Sequence, residues 1–550
     1  MPPAIVHPTT GLPVKSAPAN PRHRAGLSGD YARAFPYDAA NVYHRETEGW
    51  YPQPYSPDYE YNIYRDRIVA RSRDLARNDG WASGGIQKIL DATIGAHWRF
   101  VSKPDYRALS YFNKAFDAVW ARDFRHAVEA RWRSFSEDPN LYCDATRQLN
   151  FAQMMRLALR HKLVDGENLI VNEWMPERLG YGGAQYATCF RVVDPDRLSN
   201  PYDRIDTLYQ RGGIDIDEDG VPLAYNIREA HQYDWYGAVQ SMIWQRMERE
   251  TDWGRRIVIH DYDRERADQH RGVPLMAPVM NRMKMLAKYD QAELQAAILN
   301  AILSIAVTSP HDPEGLREAA TTTEAGNEQW YWQTRKHYRD ERPLHLSEAQ
   351  VMALFPGEDI TPIQAERPGS AHDPFTHYAL RNVAAQLGTT AEEMTLDWSK
   401  ANYSSARAGM IIGVKTAMRR RGDFASNTSM QCVVAWMEEL FEDRQFRDVL
   451  PKGGSVPGFL DARAAYSRGH FLGPGKGYID QVKEKQGMIL GMDAGVSTLQ
   501  HECAEQGFDW EENLDQRQLE VEEFKKRGLP LPDWVGVQPA YSTDEKPKAD

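Results

Sequence analysis

The chain has 550 residues, 42% hydrophobic and 26% charged, enough apolar material to bury a core across several units of ordinary domain size. Its formal net charge of −12 argues against a sequence-tolerant DNA clamp, which would present a basic surface to phosphate. The cysteines, Cys143, Cys189, Cys432 and Cys503, lie far apart with no CxxC, so scattered reduced thiols and a cytosolic place of synthesis are expected rather than disulfides.

Residues 1 to about 57 are rich in Pro, Ala and Tyr without periodicity and read as a mobile or wrapping arm, with no signal-peptide pattern. The stretch 64–94, "YRDRIVARSRDLARNDGWASGGIQKILDATI", predicts a helix with Ile68, Leu75 and Ala76 on one face. A second helix is expected over 106–135, where Phe112, Phe116, Val119 and Trp120 recur at spacings of three and four. A third begins in "TRQLNFAQMMRLALRHKLVDGENLIVNEW", ends near Gly166 and passes into a β segment over 168–174. Residues 184–230 read as antiparallel β structure, with "DEDG" (217–220) at a hairpin tip, and "RIVIHDY" (256–262) as a further strand leading into a charged loop.

The longest predicted helix runs from about Val273 to Val307, roughly 50 Å at 1.5 Å per residue. Pro274 suits its first turn, and Pro278 fits there or marks a late start. Met276, Met280, Met283 and Ala287 form a stripe that reads as packing, with another copy of the chain as a candidate partner. "LQAAILNAILSIAVTSP" (294–310) lacks charge, but Gln295, Asn300 and Ser304 favour a packed helix over a membrane span. Residues 308–372 show no clear period and read as a small α/β insertion. A helix over 373–388, ended by Gly388, is followed by the polar, aromatic run "TLDWSKANYSSARAG" (395–409) and a helix from about Ser404 to Asp423. An amphipathic stretch, 426–446, comes next. An acidic helical region then leads to a tail, "STDEKPKAD", expected to be disordered.

Candidate chemistry is thin. Asp215, Asp217, Asp219 and Gly220 match the first half of an EF-hand loop, but its twelfth position is Asn226 rather than a bidentate Glu, so a hairpin turn is expected. "GPGKG" (473–477) lacks the spacing and the Ser or Thr of a phosphate loop and reads as a surface turn. Neither HExxH nor GxSxG is present. "DYDRER" (261–266) could offer paired carboxylates, but interleaved Arg points to a solvated or inter-subunit surface. Arg419, Arg420 and Arg421, near the expected end of a helix, span most of its circumference and cannot all face one ligand; a favourable interaction with the helix dipole is the plain reading. No enzyme, cofactor or metal is expected.

An ordered set of motifs carries a resemblance: "RSRDLARND" (71–79), "DGENLI" (165–170), "IDIDEDGVPLAYNI" (214–227), "HRGVPLMAPVMNRMKMLAKYDQAELQAA" (270–297), "FPGEDI" (355–360), "DWSKANYSSARAG" (397–409) and the run 473–520. Together, across about 65–530, they resemble the lambda-type portal proteins of tailed bacteriophages. The resemblance implies an α+β portal fold assembled as a ring, typically of twelve subunits, at one capsid vertex, with double-stranded DNA in its axial channel. It implies a terminase motor, a major capsid or scaffold protein and head-completion or adaptor proteins as partners, and no membrane. By order along the chain it implies an arm (1–57), a wing (58–272), a stem helix (273–307), a clip (308–372), a second stem helix (373–389) and a tunnel loop (390–403). A tunnel helix with the second part of the wing (404–480), then a crown and tail (481–550), would follow.

In that frame Lys400 and Arg407 are candidate light phosphate contacts, and Asn402, Ser404 and Ser405 belong to the channel-facing loop, with Ser404 or Ser405 as a helix cap. Trp398 and Tyr403 are expected to anchor the loop base. Arg419, Arg420 and Arg421 are candidates for DNA or subunit contacts. The rival readings are another viral head structural or adaptor protein, and a metal-dependent nuclease.

Overall fold

The computed structural model describes residues 45, 47–180, 182–302, 306–308, 359–361, 372–399, 402–477, 480–532 and 534–535, with single positions at 39, 333, 336, 337 and 340. Most of the expected arm, most of the insertion over 308–372, and the tail lie outside them. The chain divides into two units, Met1–Ser56 and Pro57–Asp550. In the first, Trp50 N donates to Thr47 O at 3.1 Å, closing a turn.

The second unit is α+β. Its first half runs α1 (Pro57–Asn62), α2 (Arg65–Asn78), α3 (Gly80–Thr93), β1 (Arg99–Ser102), α4 (Ala118–Ser136), α5 (Phe151–Val164), β2 (Glu167–Trp174) and β3 (Thr188–Val193). Strands β4 (Gln210–Arg211), β5 (Ile214–Ile216), β6 (Pro222–Arg228), β7 (Trp244–Glu248) and β8 (Val258–Tyr262) follow. Then come α6 (Met280–Ile302), β9 (Ala306–Thr308), β10 (Asp359–Thr361), α7 (His372–Leu387), α8 (Ala391–Thr395), α9 (Tyr403–Phe424), a π turn (Ala425–Ser429) and α10 (Met430–Leu440). After single-turn helices at Arg444–Arg447 and Arg463–Tyr466 come strand β11 (Gly469–Leu472) and helices α11 (Gln481–Asp493), α12 (Leu499–Glu505) and α13 (Trp510–Arg527).

Two helices expected as continuous are divided by capping aspartates. Asp79 is extended (φ −111°, ψ 119°) and its side chain accepts from Ala82 N, so α2 stops and α3 restarts within the 64–94 stretch. Asp117 accepts from Trp120 N at 2.8 Å and starts α4, leaving only a single turn, Tyr106–Leu109, before it. Phe116 and Trp120 are buried edge to face at 4.6 Å, whereas Phe112 and Val119 are exposed.

Strand β2 lies between β3 and β8 in an antiparallel sheet, and both its faces are buried. Side chains alternate along a strand. Leu169 and Val171 face a small β core with Val193, Ile214, Tyr225 and Val258. Ile170, between them, faces the main helical core with Phe190 and Ile259. The second sheet, β4-β5-β6-β7, supplies the other wall of the small core. Its β5–β6 turn is the expected hairpin: Asp217 Oδ1 accepts from Asp219 N and Val221 N, so the calcium-like run is occupied with its own turn.

The main core draws on both ends of the chain. Trp436 of α10 is wholly buried and meets Trp132 of α4 at 5.0 Å. Strand β1 pairs antiparallel with β11, Arg99 opposite Leu472.

Between these halves, α6 and α7 form an antiparallel helical hairpin. Gln386 donates to Leu275 O at 2.8 Å near one end, and Tyr289 stacks on His372 at 5.3 Å near the other. The long helix begins at Met280, after a 3-10 turn at Ala277–Val279 that accommodates Pro278; this is the late start. The methionine stripe has an intrachain partner, a correction to the expectation of a neighbouring copy. Met276, Met280, Met283 and Leu286 are buried in the main core with Ala379, Leu380 and Val383 of α7, while Ala287 is exposed. No helix among the described residues is long and apolar enough to cross a membrane.

Helices α11, α12 and α13 contain no buried residue. They are tied to the body at the start of α13. Asp509, its cap, meets the Arg125 guanidinium, Arg125 Nη1 lies 3.2 Å from Glu511, and Glu512 pairs with both Arg99 and Arg133 at 2.5 Å.

Candidate functional site

The run that stood out in the sequence sits between α7 and α9. Helix α7 ends at Leu387, and Gly388 takes a left-handed conformation (φ +73°) that a side chain would strain. The segment read as loop from 390 begins instead with α8, because Thr390 and Glu393 form a capping box: Glu393 N donates to Thr390 Oγ1 at 3.1 Å and Thr390 N to Glu393 Oε2 at 3.2 Å. Among the described residues the irregular part therefore begins later, at Leu396. Leu396 opens it at φ +58°, exposed. Trp398 is half-buried and lies with Leu396 on a cleft of about 370 Å³. Lys400 and the Tyr403 side chain lie outside the described residues.

Asn402, not Ser404 or Ser405, caps α9. Its Oδ1 accepts from Ser405 N at 2.8 Å and from Ser404 Oγ at 2.8 Å. Asparagine in the extended region offers its side-chain oxygen at the right distance, whereas both serines already lie inside the helix. Ser404, Ser405 and Arg407 are exposed on the first turns.

Helix α9 approaches α8 closely because its facing residues are glycines. A Cβ on Gly409 would sit 2.8 Å from Thr390 Cγ2, and one on Gly413 would sit 3.2 Å from Glu393 Oε2. Sequence reading missed this pair, although the four-residue spacing that puts both on one helical face was visible. The cleft lies beside them, with Lys88, Leu387, Trp398, Arg420 and Lys476 on its walls.

The three arginines are separated, as their spacing requires, but the dipole reading fails because the helix does not end there. It continues through the π turn into α10. Arg419 is exposed and pairs with Asp423 at 3.1 Å. Arg420 lines the cleft, where burial and the neighbouring Arg419 hold its pKa below the ordinary arginine value. Arg421 is committed within the chain: Nε donates to Thr93 O at 3.0 Å and Nη2 to Ala92 O and Pro474 O, satisfying the last carbonyls of α3. "GPGKG" is correspondingly packed rather than a free surface turn. A Cβ on Gly473 would strike Arg421, and Lys476 pairs with Glu505.

The remaining motifs converge on a buried ionic cluster. Glu167, wholly buried, accepts from Arg65 (Nη2, 3.0 Å), Arg271 (Nε, 2.9 Å) and Gly272 N, and contacts His260 Nε2 at 2.9 Å. Arg73 forks onto Asp165 (2.7 Å), Asp194 (2.9 Å) and Asp196 (2.5 Å). His270 lies 2.7 Å from Asp58 through Nδ1 and 3.1 Å from Gly220 O through Nε2. Asp261, expected on a solvated surface, is buried and receives Lys162 Nζ at 2.9 Å. Asp165 and Asp194 also approach His161 closely enough to suggest a metal site, with their ligand atoms within 4.8 Å of one another. The Arg73 guanidinium, bonded to both carboxylates, already supplies the cation there. This cluster does structural work: it joins α1, α2, β2, β8 and the segment before α6.

Comparison with known proteins gives a consistent picture. A family described as phage portal protein, lambda family, matches residues 43–421. The portal protein of Escherichia phage N15 is 29% identical over 497 residues, covering 90% of this chain and 91% of that one. Portal protein B of Escherichia phage lambda is 29% identical over 497 residues, with 90% of each covered. Among solved structures, the neck of an empty GTA particle computed with C6 symmetry covers 70% of this chain and 94% of that one at 14% identity, with a TM-score of 0.38 that carries no inference.

Proposed function

The chain belongs to the lambda family of phage portal proteins, and from that premise we propose that identical copies form a ring, of twelve subunits, whose axial channel passes double-stranded DNA into and out of the capsid. In this reading the ring sits at one capsid vertex and is assembled in the host cytoplasm. Residues 58–272 and 404–480 form the wing and meet a major capsid or scaffold protein. The helices over 273–307 and 373–389 form the stem, and 308–372 a clip for the terminase motor and for head-completion proteins. The loop over 390–403 borders the channel, and 481–550 forms the crown and tail. The motor, not this chain, would hydrolyse ATP.

The observation that carries the ring is the apolar surface that the α6–α7 hairpin leaves uncovered. Met276, Met280, Met283 and Leu286 are buried in the chain's own core, while Leu294 and Ile298, which continue the same stripe along α6, and Met285, Phe375 and Tyr378 stay exposed. Apolar area of this kind is stabilised when a neighbouring copy covers it. A net charge of −12 per subunit, repeated around a ring, suits a wall along which a duplex slides without being gripped.

Particle mass in solution, with end-on images of the purified protein, tests the ring: a dodecamer with an axial opening is expected, and a monomer at every concentration would overturn it. For the loop, Lys400→Ala combined with Arg407→Ala should leave ring assembly intact while altering DNA packaging or retention. Failure to form rings would assign these residues to folding instead.

A further inference from the structure

Helix α9, the π turn and α10 are one continuous helix, and its two ends are in different situations. At the far end, Cys432, Val433, Trp436, Met437 and Leu440 are wholly buried in the main core. At the near end, Ile411 and Ile412 are 47% and 63% exposed, and the first turns carry the loop. The near half already touches α8 at Gly409 and Gly413 and the end of α3 through Arg421, and the junction is its link to the core-bound half.

The junction is the π turn. Met430 N reaches back to Ala425 O, so one extra residue is held in the helix at the expense of regular hydrogen bonding. Its side chains show what offsets that. Asn427 Nδ2 donates to Asp261 Oδ1 at 3.2 Å, and Thr428 Oγ1 donates to Asp261 Oδ2 at 3.1 Å. Neighbouring residues of an α-helix point about 100° apart, so two in succession on one carboxylate is a geometry the wider turn makes available. Ser429 Oγ accepts from Trp98 Nε1 at 3.0 Å and donates to Met155 Sδ of α5 at 3.2 Å. Asp261 is itself fixed by Lys162 Nζ at 2.9 Å and by Asn168 Nδ2 at 3.4 Å. It thus ties strand β8 and helix α5 to the helix that bears the loop.

We propose that Asp261 is a positioning residue: by holding the extra residue of the π turn, it sets how α9 is held against the body. The turn joins a half-helix buried in the core to one that is partly exposed, and Asp261 holds the join. The importance of the loop rests on the channel reading above, but the joint can be tested without it.

The test is hydrogen exchange, read by mass spectrometry on the full-length protein in its native assembly. Asp261→Asn keeps the shape and leaves Lys162 its second partner, Asp263, at 3.0 Å. It should speed exchange across 403–424 about tenfold, as expected for weakening one or two side-chain hydrogen bonds, while 430–440 stays slow. Thr428→Val should do the same to a lesser degree. Deleting Ser426, an exposed residue of the turn that does not touch Asp261, removes the extra residue and should reproduce the Asp261→Asn pattern. The deletion and Asp261→Asn together should be no worse than either alone, because both break the same link. Faster exchange confined to 425–429, an equal increase in 430–440, or fully additive effects would overturn the proposal. A failure of the channel reading would show differently, as a missing ring or unaltered DNA passage with this exchange pattern intact.

Discussion

Glu167 shows how single residues are used in this chain. Burial alone would push its pKa up, but Arg271 and Arg65, with His260, outweigh that and hold it well below the ordinary 4.5. Removing the charge leaves two buried guanidinium groups without their partner, so Glu167→Gln should cost about 3–5 kcal/mol in chemical denaturation. Because the native pKa is depressed, this contribution is complete above pH 4.5 and is lost as pH falls through the native value. His270 works in the opposite direction. Its hydrogen bond to Asp58 raises its pKa, against the opposing effect of burial, so its contribution is complete below 6.5 and is lost as pH rises through the native value. A melting-temperature profile against pH should therefore fall on both sides, and His270→Gln should flatten the alkaline side alone. The sequence displayed "DGENLI" and "HRGVPL" as motifs but not their purpose. Glu167 and Arg271 are 104 positions apart, and only the fold brings them together.

At the scale of elements, the loop base depends on how closely α9 can approach α8. Gly409→Ala would place a Cβ 2.8 Å from Thr390 Cγ2 and should cost about 1–3 kcal/mol through overpacking. Gly422, further along the same helix, has nothing within 4 Å of a new Cβ, so Gly422→Ala should stabilise by about 1 kcal/mol through helix propensity. Opposite shifts in the denaturation midpoints of the two variants would confirm that contact, not propensity, governs the first. Element types were largely legible. Apolar periodicity and the Asp-Gly signals marked the third helix, the 217–220 hairpin and the helix ended by Gly388. The helix breaks at Asp79 and Asp117 were written in capping residues inside strongly periodic stretches, and periodicity masked them. The π turn had no local signal, because its reason is Asp261, on a strand far away in sequence.

Over the whole molecule, attachments differ in kind. The body is held by a continuous apolar core, whereas α11 to α13 contain no buried residue and meet it through ion pairs of Arg99, Arg125 and Arg133 and of Lys476 with Glu505. Salt shortens the screening length from about 10 Å at 0.1 M to about 3 Å at 1 M. Exchange at 481–527 should therefore quicken with added salt, and Arg125→Gln should reproduce the effect at low salt, while 430–440 remains unaffected. Salt-independent protection would mean that another surface holds these helices.

The pairing of β1 with β11 also has a consequence for synthesis. Arg99–Ser102 leaves the ribosome several hundred residues before its partner, Gly469–Leu472. At about 5–20 residues per second the delay is tens of seconds. Throughout it, Trp98 and Phe100 lack Phe471, against which both pack in the finished body, and an unpaired edge is open to the wrong strand. The α6–α7 hairpin, complete some eighty residues earlier, can close first. Nascent chains of this protein should thus be most dependent on chaperones just before residue 472 emerges.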